Sequence, residues 1–369
     1  MRPVWLAVLL GACAGDSPTT NDAMTGGDGG DASTQPTRFV AYISGGADIA
    51  WYDVDKTSGA LTAVSKIAAF ATGASFLAFH GNNMYAVTSG DRVGAYTIDP
   101  TTAGLTFVND VASGGSGPTH VSVDKTGAYV FVANYGSGHI AVYPVQAGGR
   151  LGAATQTILA GANAHEILPD PSNSFVVVPC LGDDKVAQYV LASGALMANA
   201  VPQLATAAGA GPRHISFAPD GKHAYLINEL NSTLSALAFD TTSGQLTEIQ
   251  TVSTRAAGAA GTNTGAEVVV HPSGKFVYGS NRGDNNIAVF SIDATTARVT
   301  LIANTSTQGM TPRNFTIDPS GKFLYAANQN SGTVVPFAID TTTGLITPTA
   351  SPINVPTPQF VGIIALPLP

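Results

Sequence analysis

Residues Gly211 to Asp240 read GPRHISFAPDGKHAYLINELNSTLSALAFD. A short apolar run opens with Arg213 and His214, a Pro-Asp-Gly turn follows, and a second β-rich run ends in Asn228 and Glu229. A polar loop then leads to a third run. Three such runs split by turn residues predict an antiparallel meander. In an antiparallel pair the start of one strand lies beside the end of the next. Arg213, His214, Asn228 and Glu229 should therefore share one edge.

The stretch recurs. Aligned on its second run, the equivalent position is Ser44, Thr88, Asn134, Cys180, Asn228, Asn281 and Asn328, with spacings of 44, 46, 46, 48, 53 and 47 residues. Seven units of this length, each with several short strands, mark a β-propeller. The expected fold is all-β: seven four-stranded antiparallel blades formed by residues 37–369 as a single domain. Strand a is exemplified by His120-Val-Ser-Val and His214-Ile-Ser-Phe, strand b by Tyr129 to Asn134, and strand c by Ile287-Ala-Val-Phe. Turns such as Asp340-Thr-Thr-Thr-Gly344 lead to strand d. The first unit lacks strand a, and the chain ends with an unpaired apolar run, Phe360 to Leu366. That run should join the N-terminal blade and close the ring, removing open edges.

Composition narrows the partners. The 369 residues carry a net charge of −8, and only 11% are charged. No basic stripe is present to release counterions, which excludes nucleic acid. The two cysteines, Cys13 and Cys180, cannot build a disulfide framework and have no metal-ligand spacing. No metal and no cofactor is expected. Residues 1–12 have one Arg and an apolar run too short to cross a bilayer, as in a secretory signal peptide. Leu10-Gly11-Ala12-Cys13 resembles a bacterial lipobox, with Cys13 as the lipidated residue. Residues 13–36, rich in Gly, Asp, Thr and Ser, read as a disordered tether. An exported, membrane-anchored, monomeric lipoprotein, periplasmic or at the cell surface, is the expectation.

The starts of strands a and the ends of strands b should open on one mouth of the central channel. That ring holds Thr119-His120, His165-Glu166, Arg213-His214, Glu267 and Arg313-Asn314 from strands a. From strands b it holds Tyr135, Cys180-Leu181, Glu229, Arg282 and Gln329. The repeated Asn that ends strand b reads as a turn cap. The residue after it changes type from blade to blade, which suits a site on a fixed scaffold. The alternative for Glu229 and Arg282 is an ion pair across the channel. Cys180 reads as a packed thiol. The opposite edge carries interchangeable turns such as Pro219-Asp-Gly and Pro319-Ser-Gly.

The blocks GPRHISF, INELNSTL, SNRGDNNIAVF and TPRNFTIDPSGKFLYAANQ resemble the seven-bladed propeller lactonase family, which includes the propeller-type 6-phosphogluconolactonase and the carboxymuconate cyclase of fungi. The resemblance runs from about Thr37 to the C-terminus. It implies His165, Arg213, Glu229 and Arg282 as catalytic residues. His120, His214, Arg313 and Gln329 are candidate substrate-binding residues. The reaction expected is water attack on a sugar or carboxylated lactone, with Glu229 or His165 as base and acid and with arginines binding an anion. A carboxymuconate-type cycloisomerase and a non-catalytic surface-binding propeller are the alternatives.

Overall fold

The computed structural model describes residues 37–71 and 73–368. The expected signal segment, Cys13 and the tether lie outside the described residues. Among the described residues, seven antiparallel sheets form a β-propeller, each sheet in the order a-b-c-d from the channel outward. The innermost strands of blades 2 to 7 are Ala74–His80, Pro118–Val123, Leu168–Pro169, Pro212–Phe217, Gly265–Val270 and Pro312–Ile317. Blade 7 splits strand d into Ile346–Pro348 and Ile353–Asn354, which pair with opposite ends of strand c.

Strand a of blade 1 is the C-terminal strand Pro358–Pro367. It pairs antiparallel with Thr37–Gly45, strand b of that blade, with Tyr42 opposite Gly362. The closing strand thus extends slightly beyond the apolar run that predicted it. It packs between the innermost strands of blades 7 and 2.

The middle strands are buried along their whole length, as in Phe276–Asn281 and Phe323–Asn328. Neighbouring blades cover both faces, so these strands read as continuous apolar runs. Outer strands such as Leu61–Ala68 face solvent and carry Thr, Ser and Lys. The a–b turns are built by aspartates. Asp318 Oδ1 accepts from Lys322 N at 2.9 Å and Phe323 N at 2.7 Å. Such an Asx turn explains Asp-Pro-Ser-Gly at this place.

Polar side chains also bind blade to blade. Tyr42, Tyr225 and Tyr278, on strands b, donate their buried hydroxyls to Ala103, Ala297 and Gly344 in the c–d turns of the next blade. The repeated Asn does more than cap its own turn. Asn134, Asn281 and Asn328 each donate from Nδ2 to a carbonyl just beyond strand d of the preceding blade, that of Ser113, Thr254 and Thr307. Removing one such buried donor strands its acceptor at a cost of about 1–3 kcal/mol.

Deleting residues 358–369 should leave blade 1 without its innermost strand and expose the edge of Thr37–Gly45. The expected result is aggregation and loss of the single cooperative thermal transition, read by size-exclusion chromatography and circular dichroism. A truncated chain that melts like the full one would refute ring closure as the source of stability.

Candidate active site

In every blade but the fourth, strand a carries one residue more than the stretch of strand b it pairs with. In blade 5, Pro212 faces Asn228 and His214 faces Ile227, so Arg213 has no partner in the ladder. The same shift leaves out Ser75, Thr119 and Arg313 in blades 2, 3 and 7. In blade 1 it leaves out Gln359, between Pro358 and Phe360. A bulge re-aims a side chain that regular alternation would turn away. In blades 2, 5 and 7 both the bulged residue and its successor line one recess, as Arg213 and His214 do, whereas in blades 1 and 3 only the bulged residue, Gln359 or Thr119, does.

This recess, of about 10 Å³, is lined by Ser75, Phe76, Thr119, His165, Arg213, His214, Glu267, Arg313, Asn314 and Gln359. That volume suits one water molecule, which needs two to four polar partners. Beside it, Glu229 lies between two guanidiniums. Its Oε2 is 3.0 Å from Arg213 Nε, and its Oε1 is 2.7 Å from Arg282 Nη2. The arginines also donate to backbone carbonyls of blade 6, Arg213 to Ala266 and Arg282 to Gly265. The ion pair expected as the alternative for Glu229 and Arg282 is present and includes Arg213 as well. With both oxygens occupied, Glu229 has the geometry of an anchor for arginines rather than of a proton acceptor. Arg313 makes no ion pair among the described residues and lines the recess directly.

His165 lines the recess beside His214, with ring centroids 5.0 Å apart, and Tyr135 packs edge-on against it at 5.5 Å. The sequence placed His165 to Leu168 in strand a of blade 4, but the ladder there covers only Leu168–Pro169. Blade 4 itself keeps a bridge between Ala164 and Cys180 and the His165 N–H on Pro179 O, while side chains of blade 3 take two of the carbonyls. Thr119 Oγ1 donates to His165 O at 3.1 Å, and Ser122 Oγ donates to Ile167 O at 2.7 Å.

His120, expected with the substrate-binding group, packs at the waist against Phe76, with centroids 4.3 Å apart, and faces the other mouth of the channel. Gln329 lies beyond strand b of blade 7, where its N–H donates to Thr311 O, outside the recess lining. Cys180 is buried with Ala164, Ile167 and Val178, and burial pushes its thiol up to about 12. It is a packed thiol, as its sequence position suggested. Gln359 and Ser75 were not legible as site residues. Their only signal is the slot that Arg213 and Arg313 share with them.

The opposite mouth is wider, about 770 Å³. Carboxylates dominate its polar groups: Glu166 and Glu267 near the waist, and Asp124, Asp170 and Asp318 around the turns, against Lys125. Size alone would favour it as a ligand site. Charge favours the recess for an anionic ligand, because Arg213, Arg282 and Arg313 gather there.

Burial sets the protonation states. It holds His120 and His165 well below the usual histidine value, with neighbouring cations adding to the effect, and it lowers His214. All three are neutral at pH 7. Burial lowers Arg213 to about 9, with Arg313 and Arg282 contributing, so it is still a cation. Burial raises Glu166 well above the carboxylate range, and Glu267 adds to this.

A profile for the family described as Lactonase, 7-bladed beta-propeller, matches residues 35–363, and the chain belongs to that family. It is 35% identical over 195 residues to the 6-phosphogluconolactonase of Pectobacterium carotovorum, covering 53% of this chain and 58% of that one. With the 6-phosphogluconolactonase of Bacillus subtilis it shares 35% identity over 202 residues, covering 52% and 57%. These matches span little more than half the length of either relative. Among solved structures, the periplasmic gluconolactonase of Pseudomonas aeruginosa superposes with a TM-score of 0.83 at 27% identity, covering 89% of this chain and all of that one (100%). A Lactobacillus plantarum protein gives 0.81 at 30% identity, covering 89% and 99%.

The neutral histidines imply a pH dependence of stability. Each takes up a proton on unfolding below about pH 6.5 and resists it when folded. The stability contributed is full above that pH and is lost as pH falls, by up to about 1.4 kcal/mol per pH unit per histidine. Glu166 has the opposite sign, since its raised folded value favours the fold at low pH and loses that advantage as pH rises above 4.5. Three histidines outweigh one carboxyl, so the urea midpoint should fall between pH 7 and pH 5. His120→Gln should flatten that fall.

Proposed function

We propose that the protein hydrolyses a small lactone, sugar-derived or carboxylated, at the arginine mouth of the channel. The observation that carries this is the convergence of Arg213, Arg313 and two neutral histidines on one water-sized recess. The water attacks the lactone carbonyl from there. Arg213 and Arg313 stabilise the oxyanion and draw in an anionic substituent, as bidentate guanidiniums do. Arg282 acts mainly by completing the clamp on Glu229. His165 and His214 provide the imidazole nitrogens that accept the water proton and return it to the leaving alkoxide.

The relatives support the reaction class, being named for 6-phosphogluconolactone and gluconolactone hydrolysis. The proposal extends to location. A signal segment, Cys13 and a polar tether suit a monomer anchored outside the cytoplasm, and the Pseudomonas aeruginosa relative is described as periplasmic. An exported enzyme would meet unphosphorylated aldonolactones more readily than a cytoplasmic sugar phosphate.

A panel of gluconolactone, 6-phosphogluconolactone and muconolactone, followed by acid release, tests the reading. Wild type should open at least one lactone well above the buffer rate, and Arg213→Ala should lose roughly 10²–10³ in kcat/KM. Turnover no faster than buffer across the panel would leave a binding propeller. Closure of a carboxymuconate diene without lactone opening would make it a cycloisomerase. Glu229→Gln should mainly raise KM, because the arginines then lose the group that aims them.

A further inference from the structure

We infer that His214 is the imidazole that accepts the proton of the attacking water, and that Glu267 is the positioning residue that equips it to do so. This deepens the lactone reading above and rests on it.

His214 Nδ1 is 2.8 Å from Glu267 Oε1, across adjoining blades. The carboxylate is held from three sides. Its Oε1 also accepts from Val268 N at 3.0 Å, and its Oε2 accepts from Asn314 Nδ2 at 2.5 Å. Asn314 is fixed in turn, because its Oδ1 accepts from Val361 N at 2.9 Å. A carboxylate that can only accept requires the imidazole proton on Nδ1, which leaves the lone pair on Nε2. His214 Nε2 is buried, has no hydrogen-bond partner, and belongs to a ring that lines the recess. His165 lines the same recess, but among the described residues no carboxylate is paired with its ring and its Nδ1 has no partner.

The groups facing His214 are Glu267, Arg213, Arg313 and the rings of Phe76, His120 and His165. Burial and the two arginines oppose its protonation, and Glu267 favours it. Burial works to raise Glu267, but His214 and Arg213 outweigh it and keep the carboxyl ionised. The step balances. Water gives one proton to Nε2 as its oxygen bonds the carbonyl carbon. The ring C–O bond then breaks, and the alkoxide takes that proton back, leaving a hydroxy acid and neutral His214.

The test measures pH profiles of kcat and KM on a lactone that wild type opens, together with histidine ¹⁵N NMR. Glu267→Gln should lower kcat about 10²-fold with KM little changed. Its acid limb should move to lower pH, because the carboxylate that supports the imidazolium is gone. His214→Asn should lose a similar factor, and the double variant no more than either single one. Asn314→Ala, which frees the carboxylate without removing it, should lower kcat in the same way. In wild type the His214 signal, assigned by its loss in His214→Asn, should show the proton on Nδ1. Wild-type kcat and an unmoved acid limb in Glu267→Gln, with lactone opening intact in wild type, would overturn the His214 assignment alone. So would an Nε2–H tautomer in wild type. A wild type that opens no lactone would overturn both readings.

Discussion

Regular alternation along a strand would let only one of Arg213 and His214 face the channel. The extra residue in strand a removes that choice, and the same shift recurs around the ring. The arginines of the recess and His214 depend on it. The bulged residues supply the cations Arg213 and Arg313, and the residues after them supply His214 and Asn314. One local irregularity, repeated, brings two consecutive side chains of a strand to the recess where regular alternation would bring one.

Ring closure and the recess are physically continuous. The C-terminal strand contributes Gln359 to the lining and the Val361 N–H to Asn314, which in turn holds Glu267. The strand that completes the sheet therefore also completes the polar network around the waist. The arginine clamp on Glu229 joins blades 5 and 6 in a comparable way, since Arg213 and Arg282 bind backbone carbonyls of blade 6 as well as the carboxylate. Such buried ionic groups contribute little net stability by themselves. Their effect is to fix where the guanidiniums point.

Much of this was legible before any coordinates. Turn residues such as Asp318-Pro-Ser-Gly321 and the buried runs of strand b repeat at a spacing that only a propeller explains. The missing first strand and the surplus last one pointed to closure. The mouth that gathers Arg213, Glu229, Arg282 and Arg313 followed from antiparallel geometry alone. The bulge did not, because Ser75, Thr119, Arg213, Arg313 and Gln359 share no chemistry that would announce it. Nor does the bulge tell His120 from His214, since it precedes both, yet His214 lines the recess and His120 the opposite cavity. The departure of His165 to Ile167 from the ladder was hidden for a related reason. It depends on Thr119 and Ser122 of another blade, and no local pattern encodes contacts about 45 residues away. The reach of Asn134, Asn281 and Asn328 into the preceding blade is likewise a tertiary fact that turn propensity cannot contain.

The pairing of the two ends of the propeller also sets a polarity. Thr37 lies opposite Pro367, whereas Gly45 lies opposite Pro358 beside Gln359. The first described residue therefore sits on the acidic, wide-mouthed side. The guanidinium recess lies at the opposite end, beside Gln359.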